Sequence, residues 1–423
     1  MFSLLISAGF SARWAVLLAG SRGYNNYRHQ ADVFHIYSIL TSRGFDKKHI
    51  ITIAFDDIVD HEMNPFKGKI FSTADHHNVY PGSDSIDYKG TNATAENFLR
   101  VLLGDTRYGR ALETTKDDDI FIYYNDHGAP GLLCVPSNNG PELYADQLSQ
   151  TINTMYEQKR YNNIFFVIEA CYSGSVGYNI SSPGVFVTVA AGPQQSSYSA
   201  DWDSSLQTFR TNEFTKHFTN YLLSNPASKI IDFVNRVAIE TTRSHVCAFG
   251  DFSVAQRRLS DFLMEAKPII IYSQSEENSK ESENSIPLSP NGAFDLRAKN
   301  SFVTFLQRRL LVASGEERNK LQNALDYEIS RRKTASHTFK RIARQFESNG
   351  DTYSDLDPSK IKYDCYRTAV EGFRMFCGEV DEHELPKLRI FGHICSNVST
   401  EELLSQIRDS CPQKLWKNED LYV

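Results

Sequence analysis

Residues 119–128 read DIFIYYNDHG, and residues 163–171 read NIFFVIEAC. Each is an apolar, β-rich run without alternation, the pattern of a strand buried on both faces. Each stops abruptly at polar or small residues that can carry chemistry. Three more runs have the same texture: WAVLLAG (14–20), IITIAF (50–55) and VFVTVAAG (185–192). Between them lie helical patterns over 27–43, 97–103 and 143–156. Tyr27 to Arg43, for example, carries Ala31, Phe34, Ile36, Ile39 and Leu40 on helical spacing. This alternation predicts an α/β domain over 14–265, with a mainly parallel sheet flanked by helices. In such sheets functional residues gather at the carboxyl ends of the strands.

Further along, the texture changes near residue 265. Residues 273–290, SQSEENSKESENSIPLSP, are polar and end in prolines. They predict a flexible, protease-accessible linker over 266–300. From Phe302 the pattern turns helical, with Phe302, Phe305, Leu306 and Leu310, then Leu321, Leu325 and Ile329. A small all-α domain is expected over 301–423. At the other end, MFSLLISAGFSA precedes the first strand. Residues 1–13 read either as the remnant of a signal peptide or as a tail, being short and lacking a basic start.

Composition narrows the class. Of 423 residues, 41% are hydrophobic and 23% charged, which is enough to bury a core and excludes a disordered chain. A net charge of −7 argues against nucleic acid as a partner. No run of about 18 apolar residues occurs, so no membrane span is expected. The charge is uneven: residues 297–344 hold 12 basic against 4 acidic residues. A basic segment following an acidic domain is expected to dock on it. Cys365, Cys377, Cys395 and Cys411 cluster at the C-terminal end and suggest two disulfides, with three connectivities open. Their spacing fits no zinc pattern. Sequons at Asn92, Asn179 and Asn397 point the same way, to the secretory pathway. Cys134 and Cys247 are expected to be buried thiols.

The chemistry concentrates at two strand ends, Asp126-His127-Gly128 and Glu169-Ala170-Cys171. A cysteine and a histidine on neighbouring strand ends can form a nucleophile–base pair. The imidazolium supplies what a thiol needs to exist as thiolate near neutral pH. Gly128 permits close backbone approach, so its N–H can join that of Cys171 in an oxyanion hole. The plainer alternative is a core cysteine and a turn histidine. A third element, GSRGYNNYRHQAD (20–32), follows the first strand. Its glycines do not fit GxGxxG spacing, so a dinucleotide loop is set aside. Asn26 can orient the His127 imidazole, and Arg28 can act as a pocket cation.

These elements, together with Phe55-Asp56-Asp57, Asn64-Pro65, Asn97-Phe98-Leu99 and the stretch Ala190 to Tyr198, resemble in the same order those of the legumains. Legumains are asparaginyl endopeptidases related to the caspases. The four-cysteine C-terminal segment resembles the legumain prodomain, so the resemblance spans roughly 14–423. It implies a caspase-like sheet plus a small disulfide-stapled helical domain. It implies a cysteine endopeptidase cleaving after asparagine, and also after aspartate, without metal or cofactor. By resemblance Cys171 is the nucleophile, His127 the general acid/base, Asn26 its orienting partner and Gly128 an oxyanion donor. Asp126 matches an aspartate found cyclised to a succinimide. Arg28, Glu169 and Ser196 match walls of the S1 pocket; a cation and a carboxylate together satisfy both ends of an amide. The resemblance also pairs Cys365 with Cys395 and Cys377 with Cys411.

Two positions depart from the family pattern. Asn212 falls where an aspartate completes S1, with Glu213 adjacent and able to replace it after a one-residue shift. Tyr172 follows the nucleophile where an acidic residue is common. The resemblance further implies a latent precursor, its own C-terminal domain acting as inhibitor, with peptide and protein substrates and cystatin-type inhibitors as partners. Lysosomal, endosomal, vacuolar or secreted placement follows. Acid would loosen the prodomain by protonating carboxylates that pair with its basic segment, and Asn284, Asn291 and Asn300 are candidate self-cleavage points. Two other readings compete: a peptide ligase or transpeptidase using the same acyl-enzyme, and an inactive binding protein that retains the fold.

Overall fold

The computed structural model describes residues 11–136, 141–264, 295–346 and 356–411. Asn284, Asn291 and most of the expected tail and linker lie outside these. The sheet has six strands in the order Cys247–Gly250, Val185–Val189, Asn163–Glu169, Asp119–Asn125, Arg13–Ala19, Ile50–Ile53. All pairings are parallel except the edge strand Cys247–Gly250, which runs antiparallel to Val185–Val189. The four inner strands are almost wholly buried, as their continuous apolar runs require. Helices Tyr27–Ser42, Ala95–Leu102 and Ala145–Glu157 fall where the periodicity places them. Two further helices, Glu213–Ser224 and Ile230–Glu240, follow a polar hairpin, Ser199–Asp203 and Thr208–Asn212.

The C-terminal region is helical: Ser301–Leu310, Gly315–Phe346, Tyr363–Cys377, Arg389–Ile394 and Thr400–Asp409. Cys365 is bonded to Cys395 and Cys377 to Cys411. This region does not have a wholly separate core. Phe302, Phe305, Leu306, Leu321 and Leu325 belong to the apolar cluster of the sheet domain. Ala335, Phe339, Ile342 and Ala343, further along the 32-residue helix, join a second cluster with Tyr366, Phe373 and Phe391. Ala129, Leu132 and Tyr144 of the sheet domain enter that second cluster too. The long helix therefore straddles two cores.

Among the described residues no helix is long and apolar enough to cross a membrane. Cys134 is buried as expected, whereas Cys247 is only half-buried because it lies on the edge strand. Asn92 and Asn397 are exposed. Asn179 is half-buried, and its amide nitrogen donates to Ser175 O and to the Tyr363 hydroxyl.

Candidate active site

Strand register brings the two chemical ends together. Asn125 and Glu169 are paired in adjacent parallel strands, and Asp126 N–H donates to Glu169 O at 3.0 Å. His127 and Cys171 each lie two residues beyond this pair. Gly128 packs directly on the Cys171 backbone, its position leaving no room for a Cβ beside Cys171 O. The chain then turns sharply. Tyr172 has φ +58°, a strained value for a residue other than glycine, and is held by Tyr172 N–H donating to Gln195 O and by Ser175 donating to Tyr172 O.

Cys171 Sγ accepts the Ser197 N–H at 3.3 Å and lies 3.6 Å from Ser197 Oγ. Burial pushes its thiol above the usual range. His127 Nε2 is 3.0 Å from Asn26 Oδ1, which lies on the loop after the first strand. His127 Nε2 also lies 3.3 Å from Glu382 Oε2, a carboxylate from the C-terminal region. Glu382 is itself anchored by the Phe302 N–H (2.7 Å) and the Ser301 hydroxyl (3.1 Å). Behind His127, His29 stacks edge-on at 4.9 Å and contacts Asp126 at 2.8 Å and Ser21 at 2.7 Å. Burial holds His29 well below the usual histidine range and raises Asp126. His29, Asp126 and His127 could in principle ligate a metal, but they are already engaged with one another and with Ser21.

A buried polar pocket adjoins the thiol. Arg28 Nε donates to Asn212 Oδ1 at 3.0 Å, while its Nη2 has no hydrogen-bond partner among the described residues. Glu169 Oε2 accepts from Thr215 N–H and Oγ1, both at 3.1 Å, while its Oε1 is likewise unpartnered. Both side chains are within electrostatic range of Cys171. Asn212 Nδ2 is committed to Asp32 Oδ2 (3.0 Å) and Asn125 Oδ1 (3.1 Å). Glu213 points elsewhere, accepting from Thr242, so no one-residue shift brings it into the pocket. Burial, with Asp32 adding to it, raises Glu169 to about 8, and burial raises Asp32 to about 7. Ser196 sits beside the Cys171 thiol and the Tyr172 hydroxyl. Sequence reasoning missed Asp32, Asn125, Ser197, Thr215 and Glu382. Asp32, Asn125 and Ser197 lay in stretches already singled out, Thr215 stands three residues past Asn212, and Glu382 lay in none of them.

The basic segment does lie against the sheet domain, through Phe302, Phe305, Leu306, Leu321 and Leu325, but the expected charge pairing is corrected. Arg331 and Arg332 pair with acids of the C-terminal region itself: Glu328, Asp381, Glu382 and Glu384. Pairs that do cross to the sheet domain come from beyond that segment, Arg367 with Asp146 at 2.8 Å and Arg374 with Glu142. A cavity of about 330 Å³ lies between the two regions, bounded by Asn26, His127, Glu142, Arg374 and Glu382.

Comparison with known proteins agrees with this arrangement. The model of the Peptidase C13 family matches residues 13–275. The hemoglobinase of Schistosoma mansoni is 34% identical over 378 residues, covering 86% of this chain and 83% of that protein. The vacuolar-processing enzyme of Vicia sativa is 29% identical, covering 96% and 87%. The legumain of Homo sapiens is 28% identical, covering 90% and 88%.

Proposed function

The chain belongs to the peptidase C13 family and is a legumain-like cysteine endopeptidase acting on peptide and protein substrates, and from that premise we propose that it cleaves after asparagine and is held latent by its own C-terminal region until acid releases it. The observation that supports the specificity is the pair of orphaned polar atoms beside Cys171. Arg28 Nη2 can only donate, and Glu169, which burial keeps protonated below about pH 8, still offers an acceptor oxygen beside its proton. A carboxamide offers the matching acceptor and donor. Cys171 is the nucleophile in this reading, His127 the acid/base, Asn26 its orienting partner and Gly128 an oxyanion donor. The acyl-enzyme can also be resolved by an amine, and an inactive binder is disfavoured because Cys171, His127, Asn26 and Gly128 are all present in the sequence. A lysosomal or vacuolar compartment suits an acid-released enzyme, and cystatin-type inhibitors suit the same cleft.

Asn212 tunes this pocket. It adds no charge, so the Arg28 cation is offset less than a carboxylate there would offset it, and P1 aspartate is tolerated. Protonated Glu169 can donate to the second aspartate oxygen. The Asn:Asp preference is therefore expected to fall as pH drops below about 8, where Glu169 takes up its proton. Asn212→Asp is expected to shift the ratio of kcat/KM values toward asparagine by about tenfold, from one added charge near the P1 carboxylate. Its new carboxylate would share a proton with Asp32, so the shift is larger at neutral pH. The test is cleavage of paired P1-Asn and P1-Asp peptides after acid treatment, with Cys171→Ala alongside. Cleavage that survives Cys171→Ala, or that shows no preference for either residue over alanine, rejects the reading.

The acid trigger needs a different group from the one the charge pattern suggests. Burial raises Glu142, Glu382 and Glu384 above the usual carboxylate range. The docked state thus holds their protons more firmly than the released state, and acid by itself favours docking through them. His383 has the opposite sign. Burial, then the Lys387 and Arg332 cations, lower it to about 3. It also faces Asn300 Oδ1 at 3.1 Å, Asp381 and Lys299. Neutral His383 stabilises the folded C-terminal region, and with it the docked state, above about pH 6.5, and that contribution is lost as pH falls toward 3. His383→Gln is expected to remove about one proton from the uptake that accompanies release. The slope of activation against pH between 6.5 and 3 reads this directly, and an unchanged slope rejects His383 as the trigger.

A further inference from the structure

Arg28 and Asp32 stand one turn apart on the helix Tyr27–Ser42, both fully buried, at the spacing where a cation and a carboxylate ordinarily pair with each other. Here the carboxamide of Asn212 stands between them instead. Its Oδ1 accepts from Arg28 Nε at 3.0 Å, and its Nδ2 donates to Asp32 Oδ2, also at 3.0 Å. Asp32 Oδ2 accepts the Asn212 N–H at 3.1 Å and Asn125 Nδ2 at 3.0 Å as well, while Asp32 Oδ1 accepts from the Ser72 hydroxyl at 3.2 Å. From this chain of contacts we propose that Asp32 is a positioning residue for substrate recognition: it locks the Asn212 amide, the amide aims the Arg28 guanidinium, and the guanidinium meets the P1 side chain. The proposal rests on the asparagine-directed reading above and adds to it a residue that never touches the substrate.

An amide held between an accepting oxygen and a group that can only donate has a single orientation. Asp32 Oδ2 takes the amino end of Asn212, so the carbonyl oxygen must face Arg28. A guanidinium is planar, so fixing two of its nitrogens sets the direction of the third. Nε is fixed by Asn212, and Nη1 donates to Asn25 O at 3.3 Å. Nη2 is thereby left pointing where no group among the described residues receives it. Without Asp32 the Asn212 amide is free to turn over, and Arg28 loses the contact that aims it. Burial raises Asp32 to about 7, so in acid it carries a proton. The lock survives that change, because Oδ1 can hold the proton against Ser72 while Oδ2 goes on accepting. The Thr211 hydroxyl adds a further bond to Asp32, and Arg28, Glu169 and Tyr123 are the ionisable groups within its electrostatic range.

Asp32→Ala is expected to raise the KM of a P1-asparagine peptide about thirtyfold, the usual weight of one hydrogen bond to a charged group, with kcat changed far less. Asn212→Ala cuts the relay at its next link and is expected to do the same. Because the two residues act through one contact, the double variant is expected to be no worse than either single one. Asp32→Asn can offer an oxygen to Asn212 and Asn125 and an amide nitrogen to Ser72. It is therefore expected to keep the native KM at about pH 5, where Asp32 itself is protonated. Kinetics are measured on the acid-treated full-length chains, per titrated active thiol. Loss of fold lowers that titre and leaves KM alone, so a merely structural role does not give this pattern. Where Asp32→Ala yields no titratable thiol, Asn212→Ala and Asp32→Asn decide the matter. A native KM in Asn212→Ala, losses that multiply in the double variant, or an Asp32→Asn chain as weak as Asn212→Ala at about pH 5 overturns the relay while the peptidase reading stands. If the native enzyme does not cut the P1-asparagine peptide, the asparagine-directed reading fails and this proposal fails with it.

Discussion

A Cys171→Ala chain is expected to lose peptide cleavage by roughly six orders of magnitude, and a His127→Ala chain by nearly as much. In the proposed mechanism the two side chains act as one device. Burial pushes the Cys171 thiol upward, so it does not ionise unaided near neutral pH. It becomes nucleophilic by passing its proton to His127, whose ring is held by Asn26 at 3.0 Å. Groups that work as a unit do not add when deleted. The double variant is therefore expected to be no slower than either single one. Single-turnover cleavage of a P1-asparagine peptide by the acid-treated chains measures this. Losses that multiply would mean that His127 and Cys171 act independently, and the acid/base role of His127 would be withdrawn.

Arg331→Ala is expected to destabilise the C-terminal region by about 3–5 kcal/mol, the usual cost of stranding a buried ionic partner. The guanidinium is almost wholly buried and serves three carboxylates: Glu328 at 2.9 Å, Glu384 at 2.9 Å, and Asp381. Removing it leaves three buried acids offset only in part, by Arg332 beside Glu328 and Lys387 beside Glu384. The consequence reaches His127 along the chain, because Asp381 is followed by Glu382, which contacts it. Latency should therefore leak: the variant is expected to cleave the reporter without prior acid treatment. Thermal unfolding and activity at neutral pH are the two readouts. A variant that keeps both its melting temperature and its latency would show that the cluster does not clamp the inhibitor.

What could be read from the sequence follows a physical boundary. The inner strands declare themselves because strands buried on both faces must be apolar throughout. The chemical residues at their ends stand out against that background, and so Cys171, His127 and Glu169 were visible. The hairpin 199–212 was not, since SADWD and TFRTN carry little apolar signal and are stabilised by backbone pairing. Asp32 lay on a helix where a carboxylate ordinarily faces water. Only the fold reveals that Asn125 and Asn212 close over it. Glu382 stands in a run of acids that reads as a solvated turn, and nothing local ties it to a histidine 255 positions earlier. The group behind the proposed acid trigger was hidden for a related reason. Charge counts say which groups can pair, but the sign of a pH effect depends on burial, which reverses the carboxylates and singles out His383.

The helix Gly315–Phe346, rooted at one end in the sheet's own core and at the other in the disulfide-linked one, makes tethering and binding separate properties. Severing the chain between 265 and 294 would leave every one of these apolar contacts in place. What changes is the law that governs them. Before the cut, closure is unimolecular and indifferent to how much protein is present. Afterwards the inhibitor is a ligand, and occupancy follows mass action. A nicked population would then stay shut where the enzyme is concentrated and open on dilution, so that the same molecule becomes a reporter of its own abundance.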